Sequence, residues 1–543
     1  MTNCILTESV IDEMKEKMRN IYAELGKVEK SCTEKIEDVS QMNENTMLSH
    51  DQWNTITSLH QELIEKHYDF FVVSQDLAAI ATIGNLAEKH NMPARMWSYG
   101  IYRYLELLRK HRAHSLDVQE HLLNFTRLSY LMVTLLLERI SPFREIWTEC
   151  LGDLARYRMA VEDTDGADQR TWAEVSRFWY NHATDQCPEA GRIQNHLAVI
   201  SRPDTLQQFF YYTKALIIAR PFSDAWASMK QLVHSIPGAP GDRNILVNSF
   251  MAAHGARILD LPVEQFALRS RIFLTNLRQD VGRLGQEAQQ GIFVTCCNIG
   301  AILQYGNKDG FIATEFNSTD NTTLGDAYAL AKQWASKAHV DPNSHVSTDL
   351  SSQYAFSASS FAFHTLAIIL NQPDDWNLQP AVHVSMAFLW CLTLHPAVIQ
   401  RLERLVPWSI LANYLNSLFQ PNVNISTIKG KSFPRIDGTT PQQLPEDLLI
   451  RGHTWSRLYY PAMFFDATAM AEDRPLIEDP STMLLRVHRC LWLGMQIASY
   501  SRWMKYDDIL RFTPTRLAYE FAPISQSLDH LSGSLYSTPR LMD

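Results

Sequence analysis

Cysteine is scarce and scattered: eight residues in 543, two of them adjacent at Cys296 and Cys297, with no CxxC spacing near them. That excludes a disulfide framework and points to a reducing compartment with free thiols in the core. Adjacent cysteines cannot both readily face one tetrahedral ion, so even with His254 or His488 no metal site is expected there. Positive charge is also in deficit, 49 Lys and Arg against 59 Asp and Glu, for a formal net charge of -10. A general binder of nucleic acid or of membrane surfaces would more often be basic, although a local basic groove remains compatible with this balance. GxxxxGK[ST], GxSxG and HExxH are missing and the histidines are scattered, so the chain is expected to be no enzyme and to carry no cofactor.

Long apolar runs are few. The longest, AVHVSMAFLWCLTLHPAV from Ala381, holds two histidines and a proline, which suits a buried helix better than a membrane span. The N-terminus, MTNCILTESVIDEMKEKM, becomes charged too soon for a secretory signal. No membrane partner is expected, the location is the cytoplasm, the nucleus or both, and the sequons at Asn317 and Asn321 are not expected to meet a glycosylation enzyme.

What is abundant is apolar and aromatic surface, 46% and 10% of residues, ample for large cores in three or four domains or in one helical array. The periodicity is helical. Ile11, Met14, Met18, Ile21, Leu25 and Val28 alternate by three and four, giving residues 9–30 a narrow heptad stripe that could lie on the body or meet a partner helix. Residues 31–50 are polar and read as a linker or loosely held helix. From Trp53 a run of helices follows, with Pro93 in a first turn, a basic helix whose buried face is Trp97, Ile101, Tyr104 and Leu108, and a long helix from about Ser115 to Glu138. Farther on, Ser176, Tyr180, Ala183 and Pro188, then Leu197 and Ala198, have the spacing of degenerate tetratricopeptide hairpins. SIPGAPGD at 235–242 is a boundary candidate. The second half is also mainly helical, with polar segments at 314–350 and 420–443 that read as surface loops. Strands for a sheet platform or an oligonucleotide barrel are lacking.

Residues 143–160, FREIWTECLGDLARYRMA, hold the candidate site. Phe143, Trp147, Leu151 and Leu154 share one helix face, and Arg156 falls about 180° from Trp147 at ~100° per residue. Tyr157 is next in line. A rigidly held guanidinium beside a phenolic hydroxyl suits a phosphate or carboxylate. Arg158 returns to the Trp147 line and reads as structural, while Glu149 and Asp153 read as orienting partners of Arg156. Arg95, Arg103, Arg109 and Arg156 can converge across adjacent helices into an anion groove for a phosphoserine peptide or, less specifically, a nucleic-acid backbone. The alternative is a solvated helix surface that binds nothing.

GDLARYR from Gly152 resembles the GDxxRY core of 14-3-3 proteins. Together with WYNHATDQCPEAGRIQNHLAVI, FYYTKALIIARPF, LPEDLLIRGHTW from Leu444 and VHRCLWLGMQIA from Val487, the chain resembles the Ever-Shorter-Telomeres family of telomerase-associated factors and its relatives in nonsense-mediated mRNA decay, fungal members above all. The resemblance runs from about residue 55 to 520. It implies an all-α fold: an N-terminal helix and linker (1–50), 14-3-3-like helices (51–165), tetratricopeptide-like hairpins continuous with them (166–236), a C-terminal helical hairpin domain (240–522) and a tail (523–543). It implies a non-catalytic adaptor in mRNA surveillance that binds a phosphorylated partner such as an RNA helicase tail and contacts mRNA decay factors. The alternatives are a telomerase- or nucleic-acid-binding regulator, with telomerase or a single strand as partner, and a phospho-independent scaffold. By motif, Arg156 and Tyr157 take the phosphate-binding roles, and the family's further basic residue falls at Tyr102 or Arg103. Residues 440–543 show neither the strand-helix scaffold nor the acidic cluster of a PIN nuclease, so no nuclease activity is expected.

Overall fold

The computed structural model describes residues 8–42, 48–81, 86–112, 116–162, 166–235, 244–286, 288–318, 322–337, 350–430, 432–435, 442–466 and 480–532. The architecture is mainly α-helical, in two compact units, Met1–Cys187 and Pro188–Asp543. The division falls inside the 166–236 span that the sequence treats as one piece.

The first unit comprises α1 (Glu8–Gln41), α2 (His50–Ala81), α3 (Leu86–Lys89), α4 (Met92–Arg95), α5 (Arg103–His111), α6 (Leu116–Arg139), α7 (Arg144–Val161) and α8 (Ala167–Gln186). Helix α1 packs along α2, burying Met18, Leu25, Cys32 and Val39 at strict sevenfold spacing. The seam therefore continues through the segment read as a linker, and the polar residues there form the outer face, where Lys30–Glu34 and Lys35–Asp38 pair. Pro93 opens α4 in its first turn. Between α4 and α5 the backbone widens into a π-helix, Met96–Tyr102. Its extra residue per turn brings Trp97 and Tyr102, five apart, into ring contact at 6.5 Å. Ile101, Tyr104 and Leu108 are buried, and Trp97 is half-buried. Helices α7 and α8 cross closely at Gly152, where an added Cβ would meet the Tyr180 ring at 2.6 Å.

The second unit starts with α9 (Gly191–Ile200) and α10 (Thr205–Ile217), a hairpin in which Leu197, Ala198 and Ala215 are buried. It continues through α11 (Ala225–His234), α12 (Ile245–Ile258), α13 (Val263–Gln279), α14 (Gly282–Gln286), α15 (Ala288–Ile302), α16 (Phe311–Ser318), α17 (Leu324–Ala335), α18 (Leu350–Leu370), α19 (Gln379–Thr393), α20 (Pro396–Leu402), α21 (Trp408–Ser417), α22 (Ile425–Lys429), α23 (Pro445–Ile450) and α24 (Pro480–Ala498). A β-hairpin, β1 (Met504–Asp507) with β2 (Arg511–Pro514), and α25 (Arg516–Gln526) follow. Helix α15 lies centrally, packing on α10, α18 and α19.

Three local expectations are corrected here. The polar stretch 314–350 takes in the end of α16 and the whole of α17, the latter capped by Thr323 and buried through Ala327, Ala331 and Ala335, a face too weakly apolar to announce itself. The hairpin was not expected; Asp507 accepts from the Ile509 and Leu510 backbones at 2.8 and 2.6 Å to make its turn. Helix α25 runs through Pro523, and Leu531 beyond it is buried, so a tail does not begin there. SIPGAPGD lies outside the described residues except Ser235, as does Asn321. Among the described residues no single helix is long and apolar enough to cross a membrane; the apolar pair Trp376–Thr393 and Pro396–Leu405 is bent by 118°.

The two motifs LPEDLLIRGHTW and VHRCLWLGMQIA meet in the core. Glu446 accepts from Arg486 at 2.6 and 2.9 Å and is hydrogen-bonded to His383 at 2.8 Å, whose other nitrogen meets the Tyr459 hydroxyl at 2.5 Å. Asp447 accepts from Arg489 and from Tyr460, the latter at 3.0 Å. Glu446, Asp447, Arg486 and Arg489 are all buried. Both pairs are buried and reinforced by further hydrogen bonds, with Arg489 Nε left as the one buried donor of these four side chains without a partner among the described residues, and they hold α23 against α24. Burial alone would push the Glu446 carboxyl up; Arg486 and then His383 outweigh it and hold it well below the ordinary carboxylate range.

Candidate functional site

Phe143, Trp147, Leu151 and Leu154 are buried as their spacing predicts. They fix α7 rigidly and leave Arg156 toward α8. There Arg156 donates to Asp153 at 3.0 Å and to the Tyr180 hydroxyl at 3.3 Å, while Tyr180 donates to the same Asp153 oxygen at 2.7 Å. Burial opposes the guanidinium charge, but Tyr180 and Asp153 outweigh it and hold its pKa above the ordinary arginine value. Arg156 is thus a cation already neutralised within its own unit. Arg158 pairs with Glu162 and lies over the Trp172 ring, as a structural arginine should.

The ring of Tyr157 lies 5.3 Å below the Arg156 guanidinium. Its hydroxyl donates to Glu106 Oε1 at 2.5 Å. Arg109 grips the same carboxylate in a fork, Nε at 3.1 Å from both oxygens and Nη2 at 2.8 Å from one. Burial and Glu106 push the Tyr157 hydroxyl up, so it stays protonated and donates. Burial alone would raise Glu106; Arg109 and Tyr157 more than reverse that and keep it ionised. Tyr102, 43% exposed, lies within electrostatic reach of both Tyr157 and Arg109.

The structure therefore brings together Arg156, Tyr157, Arg109 and Tyr102. It directs the other two elsewhere. Arg103 lies over the Tyr99 ring at 4.4 Å. Arg95 faces α1, donating to Glu29 at 2.8 Å and to Tyr22 at 3.1 Å. The residue that sequence reasoning missed is Glu106. It occupies the centre of the cluster, bound by the fork and hydroxyl that suit an external oxyanion. Its only signal is a place three residues before Arg109, an ordinary helix pairing.

Residues 176–244 match the family described as the Est1 DNA/RNA binding domain. The match begins on α8 and covers the α9–α10 hairpin and α11. A search of curated proteins finds no match. Among solved structures the chain is similar to one described as "Crystal structure of Est1 and Cdc13", with a TM-score of 0.56 and 9% identity over 90% of this chain and 100% of that one. At that identity the likeness shows a shared helical fold. Fold likeness along most of the chain and the domain match within it together support a mainly helical architecture similar to that structure.

Proposed function

We propose that this protein is a non-catalytic helical adaptor in a nucleoprotein assembly of the telomerase type, binding single-stranded nucleic acid and protein partners in the nucleus, the cytoplasm or both. The observation that carries this reading is the match of residues 176–244 to a nucleic-acid-binding domain, supported by the fold likeness along nearly the whole chain. In this reading α1–α8 are a 14-3-3-like unit, α8–α10 are degenerate tetratricopeptide hairpins, and α12–α25 carry the C-terminal helical domain. Its protein contacts are phospho-independent, because Arg156 is already neutralised by Asp153 and the Arg109 fork by Glu106. The net charge of -10 confines nucleic-acid binding to a local site.

The test is equilibrium binding of the full chain to unstructured single-stranded RNA and DNA across a salt series. Expected is binding whose log affinity falls with log salt at a slope of only a few phosphate contacts, about −0.7 per contact. Absence of binding to either strand at low salt removes the nucleic-acid half of the proposal.

A second reading is favoured by one observation, the convergence of Tyr157 and Arg109 on the single carboxylate of Glu106, with Arg156 over the Tyr157 ring. It is the mRNA-decay adaptor that docks a phosphorylated helicase tail, with the phosphate displacing Glu106. Tighter binding of a phosphoserine peptide than of its unphosphorylated twin, lost in Arg109→Glu, would support it.

A further inference from the structure

The second unit contains a cavity of about 740 Å³ that none of the candidate residues touches, within the size range of small-molecule sites. One wall is Leu216 at the end of α10 with Pro221, Ser223 and Trp226; the other is the turn Gln304–Lys308, with Arg257, Asp260 and Tyr354 closing the floor. The turn is held under constraint. Gln304, Tyr305 and Gly306 all have positive φ, and a Cβ on Gly306 would sit 2.2 Å from the Leu216 carbonyl. Tyr305 adopts this conformation although it carries a side chain, and its buried hydroxyl is locked to His254 Nδ1 at 2.6 Å. Such over-determined strain often lines a binding site.

Arg257 is the unusual member. It is 6% exposed and sits between the rings of Tyr354 at 3.7 Å and Phe266 at 4.3 Å. Its Nη2 donates to Ser357 Oγ, its Nε has no partner, and among the described residues no carboxylate pairs with it. A buried cation without a counter-ion is costly unless an anion completes it. Burial pushes its guanidinium below the ordinary arginine value, Tyr354 opposing. At the cavity rim Lys308 is exposed, and Lys230 lies 5.4 Å over the half-buried Trp226 ring. An indole wall, an uncompensated guanidinium, an exposed lysine and the amides of Gln304 and Asn307 are together the chemistry of a base with its phosphate.

We propose that this cavity takes one unpaired nucleotide of a single strand, the base against Trp226 and the phosphate at Arg257 and Lys308. This rests on the nucleic-acid reading above and places its anchoring contact. A nucleotide is favoured over a phosphopeptide because the flat indole stacks a base of any sequence, and because the Leu216–Trp226 wall lies within the matched nucleic-acid-binding segment.

The test uses the full chain with 4-thiouridine-substituted unstructured RNA and its 5-iododeoxyuridine DNA counterpart. Photocrosslinks are mapped by mass spectrometry, and affinities are measured for Trp226→Ala, Lys308→Glu and Arg257→Met, with thermal melting as the folding control. Crosslinks on the peptides carrying Trp226 or residues 304–308, and a loss of about tenfold in Trp226→Ala and in Lys308→Glu at unchanged melting temperature, are expected. Lys308 is exposed, so its variant stays informative if Arg257→Met fails to fold. Parental affinity in both Trp226→Ala and Lys308→Glu, with crosslinks elsewhere, overturns the cavity assignment while leaving the nucleic-acid reading standing. No binding of either strand overturns both. Competition by a phosphoserine peptide that is lost in Lys308→Glu, without competition by nucleotides, overturns the nucleotide in favour of a peptide.

Discussion

Replacing Glu106 by Gln keeps the shape of the side chain and removes the one charge that occupies the Arg109–Tyr157 cluster. A phosphate approaching the same donors would lie about 5 Å from that carboxylate, where two unit charges interact by about 1–3 kcal/mol at an effective dielectric of roughly 80 to 20. Arg109 is about half exposed, so the lower end applies. With a phosphate charge of about −1.5 to −2, the repulsion relieved is roughly 1.5–2 kcal/mol, a gain of about ten- to thirtyfold in affinity. The assay is titration of parent and Glu106→Gln with a phosphoserine peptide and its unphosphorylated twin at low and physiological salt. The gain should be confined to the phosphorylated peptide and shrink as salt rises. If the variant binds no better than the parent, Glu106 is not what keeps phosphate out, and the scaffold reading needs another physical basis. If the parent already discriminates strongly between the twins, the phospho-independent reading fails outright.

Other outcomes follow from the packing. Glu446→Gln leaves Arg486 as a poorly compensated buried cation and should cost about 3–5 kcal/mol, whereas replacing both partners by apolar residues of similar volume should cost far less; parental chemical-denaturation stability in the single variant would refute the pairing. Gly152→Ala forces Tyr180 out of the α7–α8 crossing and should destabilise the first unit by about 1–3 kcal/mol, read from its thermal melt; no shift would mean that the helices do not approach so closely. His60 and His67 are buried and pushed down to about 4, by burial first, against the Gly100 and Leu63 carbonyls that bind them. Because their folded values lie below the ordinary histidine value of about 6.5, their contribution is complete above that pH and is lost as pH falls through about 4. Stability of the first unit should decline over that window in an acid titration, and His60→Gln should flatten the decline.

Much of the helical fold can be read from periodicity, because large apolar residues at three- and four-residue intervals leave little choice of face. Trp147, Leu151 and Leu154 are buried as spaced, and so are Ser176, Tyr180 and Ala183. Periodicity failed where a face is built from alanine, as in α17, or where the repeat was seven and the residue a cysteine, as at Cys32. The candidate site was legible in part. Arg156 and Arg109 flank Tyr157, and Asp153 is the partner of Arg156 that its place on the same helix predicts; the wheel cannot say that Tyr180 also binds Arg156 or that Glu106 takes the Tyr157 hydroxyl, since those partners come from other helices. Glu446, Asp447 and Arg489 stand in the quoted motifs as letters, and Arg486 immediately precedes the second motif; that their ion pairs cross a core becomes visible only when α23 and α24 meet.

The π-helix at Met96–Tyr102 has a bearing on ancestry. A wide turn of this kind is what one inserted residue leaves behind when an α-helix absorbs it without breaking. Set beside a relative whose helix lacks the wide turn, this chain needs a one-residue gap between Met96 and Tyr102. Moving that gap exchanges Tyr102 and Arg103 as counterparts of the family's basic residue. The two side chains take different surroundings: the ring of Tyr102 lies 6.5 Å from that of Trp97, while Arg103 lies over the ring of Tyr99.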